Sequence, residues 1–286
     1  MDDNAWARVI ESIKRDLCTP FIGAGANYPL LPLGGQLAKD LAEEWGYPFD
    51  DTWNLPRVTQ FQEVTTGSPT NTKAHVVDRL QAAWQDKLDQ QQVGADHPLA
   101  RLCGLPISCF VTTNYDPAID HFLRVAPTPK SPSRSRCSWN GRKAEPIPDF
   151  SVTEPLVFHL HGYWDDFRSI VLTESDYVDF LVSLTRDADK RARNQTETLP
   201  PQIRERLSDT GLLFLGYGLE DWNFRVIHRA LVLDQALSGQ ERSVAVQLDP
   251  GGAGADFVRQ YLDKLGVDVF FGTADAFIEE LMSRWQ

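Results

Sequence analysis

The feature that most constrains this chain is a set of short, nearly unbroken apolar runs. They are "TPFIG" (19–23), "SCFVTT" (108–113), "PLVFHL" (155–160), "SIVLT" (169–173), "GLLFLG" (211–216), "SVAVQL" (243–248) and "VDVFF" (267–271). A strand with one wet face alternates apolar and polar residues. Runs without that alternation suit strands covered on both faces, as in a parallel sheet packed between helices. The intervals supply the helices, among them "LGGQLAKDLAEEWG" (33–46), "TKAHVVDRLQAAWQDKLDQQ" (72–91) and "ADAFIEELMSRW" (274–285). The alternation predicts an α/β fold with a Rossmann-like, doubly wound, mostly parallel sheet. Two intervals, about 33–104 and 174–207, exceed what a crossover needs. They are expected as helical insertions near the carboxyl edge of the sheet, where such folds bind ligands, within a single domain spanning 1–286.

Composition narrows the setting. The 286 residues are 42% hydrophobic and 24% charged, ordinary values for a globular chain. No apolar run approaches the roughly 20 residues that span a bilayer, and "MDDNAWARVIESIKRDL" lacks the apolar core of a signal peptide, so a cytoplasmic protein without membrane contact is expected. The four cysteines, Cys18, Cys103, Cys109 and Cys137, form no C-x-x-C pair and are expected as reduced, structural thiols. A net charge of −12 opposes direct nucleic-acid binding. One acid-free stretch runs from Arg124 through Lys130, Arg134, Arg136 and Arg142 to Lys143; its prolines and serines predict an exposed loop, either solvated or meeting an anionic ligand or partner.

Four stretches end strands with chemistry-bearing residues. "FIGAGAN" (21–27) places Gly23, Ala24 and Gly25 in a turn that either approaches a phosphate or serves as a plain strand-to-helix turn, with Asn27 beyond. "CFVTTNYD" (109–116) delivers Asn114 and Asp116, which either cap the following helix or face a ligand. "VFHLHGYW" (157–164) holds His159 and His161, expected on one face by strand parity. His161 reads as a general base or a packed core imidazole and His159 as structural; a metal bound by both with Asp165 or Asp166 is a further possibility. "FLGYGLEDWNF" (214–224) carries Gly216 and Gly218, with Glu220 and Asp221 beyond, as a second glycine turn or an ordinary one.

Asparagine transfers no proton at neutral pH, so a site that uses Asn114 needs orientation. Cleavage of the nicotinamide–ribose bond of NAD fits that need. The nicotinamide departs neutral from a pyridinium cation, and no general acid is required. An asparagine amide can hold the attacking water or a ribose hydroxyl, and a histidine near its ordinary pKa can take the proton.

The order of these motifs resembles the sirtuin-like domains. G-A-G at 23–25 is similar to their phosphate turn, "TNYD" (113–116) to their asparagine/aspartate motif, and "HLHG" (159–162) to the segment carrying their histidine. "LGYG" (215–218) resembles the turn near the adenosine ribose, and "FFGTADAFIEEL" (270–281), with Thr273, the closing strand, turn and helix near the adenine. The zinc-ribbon cysteines of protein-deacylating sirtuins are absent and Asn27 stands where serine is usual. The bacterial antiphage-defence branch is the nearer match. That resemblance implies an NAD glycohydrolase effector that depletes cellular NAD. Asn114 and His161 would be its catalytic pair, and Gly23, Ala24, Gly25, Asn27, Asp116, Gly216, Gly218 and Thr273 would line the NAD site. It implies NAD as substrate without a metal, a homo-oligomer, and a separate regulatory protein such as a HerA-type ATPase or an Argonaute-like protein. The competing expectations are a non-catalytic NAD or ADP-ribose-binding or assembly subunit, an NAD-dependent protein deacylase, and a metal-dependent hydrolase using the two histidines.

Overall fold

The computed structural model describes residues 1–140, 146–192, 197–218 and 242–285. Seven strands form one sheet in the order β3-β4-β2-β1-β5-β6-β7, every pair parallel. They are β1 (Cys18–Ile22), β2 (Cys109–Thr112), β3 (Ser133–Arg136), β4 (Leu156–His159), β5 (Gly211–Leu215), β6 (Ser243–Gln247) and β7 (Val267–Phe271). The chain builds outward from β1 to one side through β2 and β4, then returns to the other side at β5. The order therefore reverses at β1, and a crevice is expected at the carboxyl ends there.

The apolar runs explain the layers. Strands β1, β2, β4, β5 and β6 are buried along their whole length, with alternate residues entering two cores. Ile22, Phe110, Val157, Leu213 and Val246 enter one, sealed by Trp6 and Ile13 of helix Asp3–Lys14 and by Phe277 and Leu281 of helix Ala274–Arg284. Phe21, Val111, Phe158 and Phe214 enter the other, sealed by Ile203 and Leu207 of helix Pro201–Asp209 and Val258 of helix Gly252–Lys264. All four cysteines are free and buried, and burial pushes the thiols of Cys18 and Cys109 up to about 12.

A third core lies off the sheet. Leu37 and Leu41 from helix Gly34–Trp45, Val58 from helix Leu55–Thr66, and Val76, Val77 and Leu80 from helix Pro69–Asp89 enclose Ile170 and Leu172. "SIVLT", expected as a strand, is thus an extended segment outside the sheet. Its carbonyls go to side chains instead of a ladder: Ile170 O accepts from Lys73 at 3.0 Å, Val171 O from Tyr115 at 2.5 Å and Leu172 O from Thr59 at 3.3 Å. Lys73 also reaches Asp176 at 2.8 Å, and that carboxylate caps helix Glu174–Thr185 together with Thr173. The helices at 34–89 are in this way fastened to the stretch that follows β4.

The basic stretch at 124–143 departs from the exposed loop expected of it. It contains β3, which pairs with β4 as the edge of the sheet. Lys130, Ser135, Cys137 and Trp139 are buried. The Lys130 ammonium donates to the carbonyls of Leu105 and Ile107, and burial lowers its pKa to about 8. Arg136 pairs with Asp165 at 2.6 Å and Arg134 with Asp120 at 3.4 Å. Lys130, Arg134 and Arg136 are consumed by the chain's own carbonyls and carboxylates, an outcome that composition alone does not reveal. Arg142 and Lys143 lie outside the described residues, as do Glu220 and Asp221. Among the described residues no helix is long and apolar enough to cross a membrane.

Candidate functional site

The residues singled out in the sequence, Thr273 beyond β7 excepted, lie at the carboxyl ends of β1, β2, β4 and β5. Their backbones are locked together by the two glycine turns. The Gly23 amide donates to Leu215 O at 2.8 Å and the Gly25 amide to Gly216 O at 3.0 Å. A Cβ at Gly216, where φ is +78°, would lie 2.2 Å from the Ala26 nitrogen, and one at Gly23 would lie 2.8 Å from Gly216 O. These glycines are therefore required by the contact between the turns, and the Gly25 amide is already spent on Gly216. Ala24 remains exposed at the tip, and among the described residues nothing lies within 4 Å of a Cβ position at Gly218. Tyr217 completes the lock: its hydroxyl donates to Ile22 O at 3.0 Å and meets the Thr113 hydroxyl at 2.8 Å.

Asn114 follows directly. Its amide donates to Thr112 Oγ1 at 3.0 Å, while its carbonyl meets His159 Nδ1 at 2.9 Å. With both backbone groups held, the side chain is buried and its Nδ2 has no partner. Asp116 does cap the next helix, Ala118–Val125, accepting the Ala118 amide at 3.0 Å. It also receives Asn27 Nδ2 at 3.0 and 3.1 Å, which leaves Asn27 Oδ1 buried without a partner. Burial pushes the Asp116 carboxyl up, opposed by the Ala118 amide, the His159 ring and the Asn27 amide. Asp116 is thus hydrogen-bonded locally, and Asn27 and Asn114 are left with an open acceptor and an open donor. Desolvated amide groups of this kind cost about 1–3 kcal/mol each while unpartnered.

The two histidines do not share a face, contrary to strand parity. β4 ends at His159, and Gly162 turns the chain at φ +84°, where a Cβ would lie 2.3 Å from Ser169 O. The alternation stops at that turn. His159 packs against Tyr163 with ring centroids 4.6 Å apart. His161 packs edge-on against Tyr177 at 5.4 Å and Phe180 at 5.0 Å, and its carbonyl holds the Val171 amide at 2.9 Å. The rings point to different neighbours, so the H-x-H spacing does not assemble a metal pair. Among the described residues no group of three His, Cys, Asp or Glu could hold a metal. His161 is also not near its ordinary pKa: burial among aromatic rings lowers it to about 3, so the imidazole is neutral throughout the physiological range. It is a weaker base than a solvated histidine.

Thr273 is exposed and accepts the Ala276 amide at 3.1 Å, capping the last helix. The sequence reading passed over Gln247. It closes β6 beside the β5 turn, is buried, and its Nε2 has no partner. A glutamine at the end of an apolar run was the available signal.

Comparison with known proteins now adds to the geometry. Residues 108–270, more than half of the chain, match the model of the SIR2-like domain. The chain belongs to the SIR2-like domain family. The matched segment carries Asn114, His161 and the β5 glycine turn on the strands just described. The chain is also 27% identical over 225 residues to the NAD(+) hydrolase ThsA of Enterococcus faecium. The match takes in 77% of this chain and 41% of that relative, so the chain spans about two fifths of the relative's length.

Proposed function

We propose that this chain is an NAD glycohydrolase that cleaves NAD to nicotinamide and ADP-ribose. The observation that carries the reading is the buried, partnerless amide of Asn114, clamped at its backbone and standing at the carboxyl edge of a SIR2-like sheet. Its Nδ2 donates to the attacking water or a ribose hydroxyl, and the open oxygen of Asn27 receives an N–H or O–H of the substrate. Gly218 and Gln247 serve the far half of the dinucleotide, with Ala24 at the tip of the glycine turn nearest its phosphates.

His161 takes the proton. Its aromatic walls hold it neutral, which is the form a general base needs. Departure of neutral nicotinamide requires no acid. A relative named as an NAD(+) hydrolase supports the reading. The role as an antiphage effector in the cytoplasm, as a homo-oligomer governed by a HerA-type ATPase or an Argonaute-like protein, belongs to the same proposal and rests on the motif resemblance. Purified protein is incubated with NAD and the products separated by chromatography. Stoichiometric nicotinamide and ADP-ribose support the proposal. A protein that binds NAD with and without its separately expressed partners yet never releases nicotinamide would be a binding subunit instead.

A further inference from the structure

His159 is buried to 0% exposure at the end of β4, and both of its ring nitrogens face groups that can only accept. Nδ1 lies 2.9 Å from the main-chain oxygen of Asn114, so it must carry the hydrogen of that contact. Nε2 lies 3.7 Å from Asp120 Oδ2, beyond hydrogen-bond distance, and neither the ring nitrogen nor the carboxylate has another hydrogen-bond partner. Asp120 is itself 5% exposed, and the Arg134 guanidinium stands 3.4 Å from its other oxygen while lying 3.9 Å over the Tyr163 ring. Tyr163 in turn presses edge-on against His159. A chain of groups therefore runs inward from the exposed Arg134 on the edge strand β3 to the buried Asp120 and His159, and then to the backbone of Asn114.

We propose that His159, oriented by Asp120, is a positioning residue that fixes where the Asn114 carboxamide points. The inference rests on the glycohydrolase reading for its activity test and on the geometry alone for its structural one. Asn114 has no hydrogen bond from its own side chain to hold it. What aims that side chain is the backbone, gripped on the amide by Thr112 and on the carbonyl by His159. The Thr112 hydroxyl is pinned by its own donation to Ile22 O at 2.9 Å, so that grip is rigid. The His159 grip depends on a ring that Asp120 and Tyr163 keep from turning. Removing it lets the peptide after Asn114 rotate and displaces the amide by a fraction of an ångström to an ångström, enough to cost 10- to 100-fold in rate in a preorganised site.

The experiment compares wild type, His159→Leu, His159→Asn, Asp120→Asn and the His159→Leu/Asp120→Asn double variant. The readouts are NAD cleavage and the nitrogen-15 NMR signals of the Asn114 side-chain and backbone amides, assigned in Asn114→Asp by the loss of the first and the shift of the second. His159→Leu is expected to lower kcat about 10- to 100-fold with KM within about threefold, and to move both Asn114 signals. His159→Asn, whose amide can donate from the place of Nδ1, is expected to restore most of the rate and the signal positions. Asp120→Asn is expected to give a smaller loss that adds nothing in the double variant. Unmoved Asn114 signals in folded His159→Leu overturn the proposal, as does a rate loss that His159→Asn fails to restore or that is multiplicative with Asp120→Asn. A wild type that cleaves no NAD with or without its separately expressed partners, while the signals move and return as described, overturns the glycohydrolase reading and leaves the positioning role standing.

Discussion

The two ends of the same strands are built on opposite principles. At the amino ends of β1, β2 and β5, polar side chains close on one another. Asp16 takes the Ser108 amide at 2.9 Å, the Ser108 hydroxyl at 2.6 Å and Arg206 at 2.6 Å. Arg206 reaches Thr19 at 3.1 Å, Thr19 meets Thr210 at 2.8 Å, and Thr210 donates to Arg206 O at 2.7 Å. At the carboxyl ends, Asn27 Oδ1, Asn114 Nδ2, His159 Nε2 and Gln247 Nε2 are buried without a partner. A folded chain tolerates such open groups where stability elsewhere offsets them, and active sites are where they collect. The amino ends of these three strands are closed by mutual hydrogen bonds, and the carboxyl edge is left unfinished.

That contrast breaks most readily at His161. His161→Ala is expected to lower NAD cleavage about 1,000-fold, read as nicotinamide release, with an unchanged far-ultraviolet dichroism spectrum. Asn114→Ala is expected to cost about 100-fold and to leave the melting temperature equal or higher, because an unpaired buried donor is removed along with the function. Asp16→Ala should do the reverse. Chemical denaturation is expected to show a loss of about 2–3 kcal/mol, since Ser108 and Arg206 lose their acceptor, while turnover well below the transition stays at the wild-type value.

The smallest effect concerns acid. The folded state lowers the His161 pKa from 6.5 to about 3. The unfolded chain therefore takes up a proton that the folded chain refuses, and stability present above pH 6.5 is lost as pH falls toward 3. The loss amounts to about 2 kcal/mol by pH 5. His161→Leu should flatten that part of the stability profile, and a profile identical to wild type would mean that the imidazole titrates normally in the fold.

Much of this was legible in the sequence, for identifiable reasons. The unbroken apolar runs of β1, β2, β4, β5 and β6 could only be covered on both faces, and Asn114 and His161 stood just past two of them. Other features depend on tertiary neighbours. "SRSR" (133–136) contains no apolar residue; it becomes β3 because its backbone completes the ladder of β4 and its arginines meet Asp120 and Asp165. "SIVLT" has a strand's composition, yet it serves the third core, where Ile170 and Leu172 insert between helices of the 34–89 region. The shared face of His159 and His161 failed because Gly162 turns the chain just beyond them. The need for Gly23 and Gly25 was visible, but its cause, contact with Gly216 across the β1–β5 pair, required the strand order. Gln247 carried no motif beyond its place at the end of an apolar run, and its burial and idle amide mark it in the fold.

The central claim is that Asn114 and His161 at the unfinished edge perform the cleavage. Nicotinamide release from saturating NAD, measured side by side for wild type, Asn114→Ala, His161→Ala and Asp16→Ala at a temperature where all four are folded, tests it most directly. Release by wild type and Asp16→Ala alone is the predicted result. Equal release from Asn114→Ala or His161→Ala would contradict it and move the chemistry away from the carboxyl edge of the sheet.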